Sequence, residues 1–426
     1  MAQRPAGLPG ARGTVDVSAG NLGLCHHPRR QGGRGMKDAP QKPLIIDAHE
    51  DLAWNALTFG RDYTHSAHET RRLEAQQGSL APQVNGDTLL GWPEYQAGRV
   101  AVVIATLFAA PKRRQMGDWD TQVYGDLLEA HRRYQAQVRF YHNLTKKHRR
   151  KFRLITTRED LAEVLAHWDK RRKTHPVGLV MLMEGAEGVR STWELDFWWE
   201  DGLRIIGLAW AGTRFCGGTG EIGPLTPEGH TMLRAMARYP YILDISHMDE
   251  QAALQALEGY PGPVIASHAN AKALTGSPSN RHLSDEVLRR LIERDAVIGV
   301  IPYNRFLDAR WRPGQPRLPL EAVVEQIDYI CQMAGDARHV GLGTDFDGGF
   351  GVQATPEGID TIADLQRLVP LLAQRGYREA DIAAILGGNW ARVLQTHLPS
   401  RDDPHPRERA RDKRPAFLLP EQLDEG

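Results

Sequence analysis

The sequence predicts an α/β fold, a TIM-type (β/α)8 barrel, on three observations. Eight short apolar runs recur along the chain, segments of helical period lie between them, and polar residues gather where the runs stop. Nearly continuous apolar runs mark parallel strands covered on both faces. In a (β/α)8 barrel the residues that do chemistry come from the carboxyl ends of several strands. A doubly wound open sheet fits the first two observations and is the runner-up.

In order, the candidate strands are LIIDAH (44–49), VAVVIATLF (100–108), VGLVMLME (177–184), LRIIGLAW (203–210), YILDIS (241–246), PVIASH (263–268), AVIGVIP (296–302) and HVGLGTD (339–345). The helical patterns between them are TQVYGDLLEAHRRYQAQVRFYHNL, REDLAEVLAHW, TPEGHTMLRAMARY, DEQAALQAL, SDEVLRRLIER and LEAVVEQIDYICQMA. Several open on a capping residue, such as Thr226 before Pro227-Glu228 and Ser284 before Asp285-Glu286.

The strand ends carry His49-Glu50-Asp51, Glu184, Ser246-His247, Ser267-His268 and Asp345-Phe346-Asp347. Residues i and i+2 of a strand point to one side, so His49 and Asp51 can converge while Glu50 faces away. Each position has an ordinary structural reading. Asp51 caps the next helix, a lone histidine is a satisfied core residue, and Asp345 shapes the DFDGGFG turn. As a set they point to metal. Imidazoles and carboxylates rarely gather on one barrel face without a cation to neutralise them. Three of each match the needs of two divalent ions bridged by one carboxylate.

Other classes fail. Lys plus Arg and Asp plus Glu both number 53, a balance that excludes the basic footprint of a nucleic-acid binder. Cys25, Cys216 and Cys331 lie far apart, so neither a disulfide framework nor a zinc knuckle is expected. No apolar run approaches the roughly 20 residues of a membrane span. GGTGEIG (217–223) lacks the Lys-Ser/Thr of a phosphate loop, and HET (68–70) lacks the second histidine of a zincin. The tryptophan-dense STWELDFWWED (191–201) reads as packing rather than a ligand platform. Residues 1–40, rich in Gly, Pro and Arg and without a signal-peptide apolar region, read as a disordered extension. Residues 41–398 form the folded unit and 399–426 a polar tail.

The motifs DAHEDLAW, MEGAEG, LDISHM, PVIASHANAKAL with SNRHLSDEVL, HVGLGTDFDGG and GGNWARVL together resemble the membrane dipeptidase (renal dipeptidase) family of the amidohydrolase superfamily. The resemblance runs from about residue 44 to 395. It implies two zinc ions and hydrolysis of dipeptides, including those with a carboxyl-terminal D-residue, by a metal-bridging hydroxide. It further implies His49 and Asp51 as ligands of the first ion, Glu184 as the bridge, and His247 and His268 as ligands of the second. Asp345 would handle the proton, Arg281 would pair with the free carboxylate of the dipeptide, and Tyr303 would line the substrate pocket.

One position departs from the pattern. Trp210 stands where mammalian members place a histidine that holds the substrate, and an indole only donates. That change favours a second expectation, a lactonase or N-acyl-amino-acid hydrolase on the same metals. A non-catalytic metal-binding barrel is the third, and the intact Asp345 opposes it. The secretory signal and lipid-anchor tail of the mammalian proteins are also missing, so a cytoplasmic microbial form is expected, with neither membrane nor nucleic acid as partner. The long basic helical stretch 110–175 reads as a lid or an oligomer surface, which leaves a homodimer open.

Overall fold

A computed structural model describes residues 42–170 and 172–406. The expected extension 1–40 and most of the polar tail lie outside these residues. Eight parallel strands form the barrel: β1 (Ile45–Glu50), β2 (Val100–Phe108), β3 (Val177–Glu184), β4 (Leu203–Gly207), β5 (Ile242–Asp244), β6 (Val264–Ile265), β7 (Ile298–Val300) and β8 (Val340–Leu342). Their order is β6-β5-β4-β3-β2-β1-β8-β7. A parallel bridge between Ala266 and Ile298 brings the two ends together. Every residue of these eight strands is buried, which accounts for their unbroken apolar runs.

Six helices fall on the expected patterns, and Leu52–Phe59 and Asn389–His397 add to them. Helices α1 (Leu52–Phe59), α2 (Leu127–Lys147), α3 (Arg158–Trp168), α4 (Pro227–Met236), α5 (Glu250–Gly259), α6 (Asp285–Glu293), α7 (Glu321–Ala334) and α8 (Asn389–His397) are the main ones. Thr226 caps α4 through Gly229 N, and Ser284 caps α6 through Val287 N. In GGNW, the Trp390 indole donates to the Leu342 carbonyl and Asn389 to that of Val340, locking α8 onto β8.

The stretch 110–175 is more mixed than its helical reading. Asp126 caps α2, and the residues before it pair Val123–Tyr124 with Ala110–Pro111 as short parallel strands. Phe152–Leu154 adds a ninth strand beside β3. GGTGEIG forms an antiparallel hairpin, Cys216–Gly218 with Glu221–Leu225. Pro399 and Ser400 bond to the start of α3 through Arg158 N and Glu159. Among the described residues no helix is long and apolar enough to cross a membrane.

Candidate active site

The carboxyl ends of the strands place six side chains around one point. Ligand atoms of His49, Asp51 and Glu184, of Glu184, His247 and His268, and of His49, His268 and Asp345 form three groups, each within 4.8 Å. Glu184 ends β3 and lies 2.9 Å from His247 Nε2, 3.5 Å from His268 Nε2 and 3.8 Å from His49 Nε2. His247 and His268 bring their Nε2 atoms to 2.9 Å of each other.

The outer ring nitrogens are held from behind. His268 Nδ1 meets Ser267 Oγ at 2.8 Å, and that hydroxyl donates to Asp244 Oδ2 at 2.6 Å. His247 Nδ1 meets Thr219 Oγ1 at 2.9 Å. Such partners fix the ring so that its other nitrogen faces the centre. Asp244 and Thr219 escaped the sequence reading. Asp244 is the aspartate of LDIS, three residues before His247, a spacing that carried the only available signal.

Asp51 occupies the N-cap position of α1, yet its side chain makes no capping hydrogen bond. Its Oδ1 and His49 Nε2 are buried with no hydrogen-bond partner among the described residues, and Glu184 Oε1 faces the His247 and His268 Nε2 atoms without a hydrogen bond to either. Buried polar atoms without hydrogen bonds are costly unless a ligand meets them, and His49, Asp51 and Glu184 bring ligand atoms within 4.8 Å of one another, so this donor set fits a divalent cation. The electrostatics agree. Burial, aided by the Arg281 charge, lowers the His49 imidazole to about 3, and burial also holds His247 and His268 in the neutral form that binds metal. Burial and the neighbouring Asp51 charge push Glu184 and Asp345 well above the carboxylate range, and burial with the Asp347 charge raises Asp51 to about 7. A cation would remove that crowding of like charges.

Asp345 follows β8 with φ of 56°. Its N–H donates to the His49 carbonyl at 3.1 Å, and its own carbonyl accepts from Gly348 N at 2.9 Å. A Cβ on Gly348 would sit 2.1 Å from Asp345 Oδ1 and 2.8 Å from Asp51 Oδ2. Gly348→Ala is therefore expected to displace both carboxylates and lower activity at least about 100-fold, with circular dichroism and Tm close to those of the unmutated chain. Full activity would show that the turn yields freely.

Asp347 points the other way, into a buried network. Its carboxylate accepts from Tyr63 Oη at 3.0 Å, Leu89 N at 2.9 Å and Thr88 Oγ1, and lies 3.1 Å from Arg61 Nη1. Its carbonyl accepts from Asn55 and Asn85, and Asn55 also donates to the Asp51 carbonyl. Breaking a buried pair costs about 3–5 kcal/mol. Asp347→Asn should therefore lower denaturant stability by that order, while kcat per folded molecule falls far less than for Asp345→Asn.

Arg281 lies beside the carboxylates. Its Nη1 and Nη2 donate to the Ser246 and His268 carbonyls at 2.9 Å each, and its Nε has no hydrogen-bond partner among the described residues. A cavity of about 320 Å³ opens over the cluster, lined by Asp51, Glu184, His247, Arg281 and Asp345, and by Trp54, Phe108, Trp210 and Phe306. That volume sits at the lower end of the roughly 300–1,000 Å³ typical of small-molecule sites. Tyr303 is not among the lining residues; it stacks on Phe350 at 4.3 Å, and Phe306 reaches the cavity instead.

The chain is similar to known proteins in sequence and in fold. An uncharacterized protein in the pqqA 5′ region of Klebsiella pneumoniae is 32% identical over 53% of this chain and 84% of its own. An uncharacterized dipeptidase of Schizosaccharomyces pombe is 35% identical over 40% of each chain, so the match spans less than half of that relative. Among solved structures, a metallopeptidase of Rhodobacter sphaeroides, liganded with a phosphinate mimic of the dipeptide L-Ala-D-Ala, superposes with a TM-score of 0.68 at 22% identity. That superposition covers 84% of this chain and all of the other and shows the shared barrel fold. The family model of the membrane dipeptidases matches residues 36–403, and the chain belongs to that family, peptidase family M19.

Proposed function

We propose that the protein is a binuclear zinc dipeptidase that accepts a D-residue at the carboxyl-terminal position. One observation carries the reading: His49, Asp51, Glu184, His247 and His268 bring buried ligand atoms together, and Asp51, Glu184 and His247 of this set line a small cavity. Glu184 is the residue common to the group with His49 and Asp51 and the group with His247 and His268, which supports it as a shared ligand, with His49 and Asp51 on one ion and His247 and His268 on the other. Nitrogen and oxygen donors of this kind suit zinc. Divalent ions supply a nucleophile at neutral pH and Lewis acidity toward a carbonyl.

The chain's own groups do the rest. Asp345 takes a proton from the attacking water at its carboxylate and returns it to the leaving amine. Arg281, its two terminal nitrogens anchored on backbone carbonyls, presents a fixed cation to the free carboxylate of the dipeptide. The L-Ala-D-Ala mimic bound by the Rhodobacter protein supports the D-residue preference.

Trp210, which lines the cavity, favours the second reading, an N-acyl-amino-acid hydrolase or lactonase on the same metals. A panel of L-Xaa-D-Xaa dipeptides, their amides, acylated amino acids and lactones separates the two. Free dipeptides should be turned over fastest and their amides poorly, and Arg281→Lys should lower kcat/KM on free dipeptides. Equal rates for a dipeptide and its amide would remove Arg281 from the site. Faster turnover of acylated amino acids or lactones would establish the second reading.

A further inference from the structure

The cavity has two chemically different sides. Beside the charged cluster, and with Arg114 also in the lining, stands an apolar wall of Trp54, Phe108, Trp210 and Met116. Its rings are continuous: Trp210 lies 5.0 Å from Phe108, Phe108 lies 6.4 Å from Trp54, and Trp54 lies 6.2 Å from Trp119 behind it. Trp54 and Phe108, with Trp210 and Trp119 packed on them, form a cluster separate from the main barrel core. The wall also begins beside the chemistry. Phe108 pairs in register with Glu184, and the Trp210 ring lies 6.4 Å from that of His247.

Met116 completes the wall while 54% exposed, an apolar side chain left at the mouth of a cleft. Its loop is held there by Arg113 and Arg114, which meet Glu221 of the hairpin at 2.7 and 2.9 Å. Apolar walls with a few convergent polar groups are the usual form of small-molecule sites. Trp54 and Phe108 are buried in this wall, and a substrate of small residues would leave Trp210 and Met116 in contact with water. A large side chain would cover both and add ring–ring contact.

We propose that this wall is the subsite for a large apolar side chain, so that the preferred substrates are dipeptides carrying an aromatic or long aliphatic residue. The inference rests on the dipeptidase reading above. Covering a large side chain corresponds to a preference of about 10- to 100-fold.

The test compares kcat/KM of the metal-loaded full chain for L-Phe-D-Ala, L-Ala-D-Phe and L-Ala-D-Ala, in the unmutated protein, Trp210→Ala and Trp193→Ala. Trp193 is 62% exposed and lies outside the cavity lining. One phenylalanine dipeptide should exceed L-Ala-D-Ala by about 10- to 100-fold. Trp210→Ala should shrink that ratio mainly through KM, and Trp193→Ala should leave it intact. If Trp210→Ala does not fold, Trp210→Leu replaces it, with the same direction expected. A chain that hydrolyses L-Ala-D-Ala as well as both phenylalanine dipeptides, or a ratio unmoved by the Trp210 variant, overturns the proposal. If no dipeptide is hydrolysed, the dipeptidase reading falls and the wall is judged by binding alone. Quenching of tryptophan fluorescence by N-acetyl-L-phenylalanine at least about 10-fold tighter than by N-acetyl-L-alanine upholds it, and equal binding overturns it.

Discussion

Asp345→Asn is expected to lower kcat by about 10²–10⁴-fold, the usual range of a general acid–base contribution, with KM and bound metal little changed. Asparagine is nearly isosteric and tolerates the left-handed φ of 56° at this position, so the turn should survive. Its backbone anchors, to the His49 carbonyl and from Gly348 N, do not involve the side chain. What the amide cannot do is accept a proton and return it. Steady-state kinetics paired with metal analysis on Asp345→Asn and Asp347→Asn checks the assignment. The role of proton carrier would pass elsewhere if Asp345→Asn stayed nearly fully active, or if Asp347→Asn cost more in kcat.

Glu184→Gln is expected to strip metal more severely than His49→Asn or His247→Asn. Glu184 joins the group with His49 and Asp51 to the group with His247 and His268, whereas removing His49 or His247 leaves that shared carboxylate intact. An amide removes the charge that offsets two cations and leaves one oxygen where two were offered. The fold should tolerate the change, because the bond from Tyr134 Oη reaches the Glu184 backbone carbonyl rather than its side chain. Metal content after gel filtration is the readout. Two ions per chain retained in Glu184→Gln would show that the carboxylate is not the bridge.

The barrel was legible because its strands are covered on both faces. Seven of the eight apolar runs contain the strand observed, β1 passes the end of its run by one residue to Glu50, and the capping residues Thr226 and Ser284 open the helices that they announce. The ends were less legible. HVGLGTD reads as strand to residue 345, but β8 stops at Leu342, because Thr344 bonds to the Asp47 carboxylate and the chain turns into the site. The residues before α2 carry a helical period, yet pairing of Val123–Tyr124 with Ala110–Pro111 overrides it. Local pattern cannot register a partner supplied by tertiary contact.

The candidate site divides in the same way. Its six central residues were visible because each stands at or within two residues of the end of an apolar run. The groups that hold them were not, since Thr219, Asp244 and Asn55 act through residues remote in sequence or through backbone atoms. Asp347 shows the limit most clearly. DFDGG suggests a turn residue, while its partners Arg61, Tyr63 and Thr88 come from more than 250 positions away.

The most direct measurement titrates zinc into chelator-treated protein while following hydrolysis of an L-Xaa-D-Xaa dipeptide, with bound metal read by mass spectrometry. Hydrolysis should be absent in the stripped chain, rise with added zinc and reach its plateau at two ions per chain. Full hydrolysis by the stripped protein, or none at two bound ions, would contradict a metal-dependent dipeptidase built on His49, Asp51, Glu184, His247 and His268.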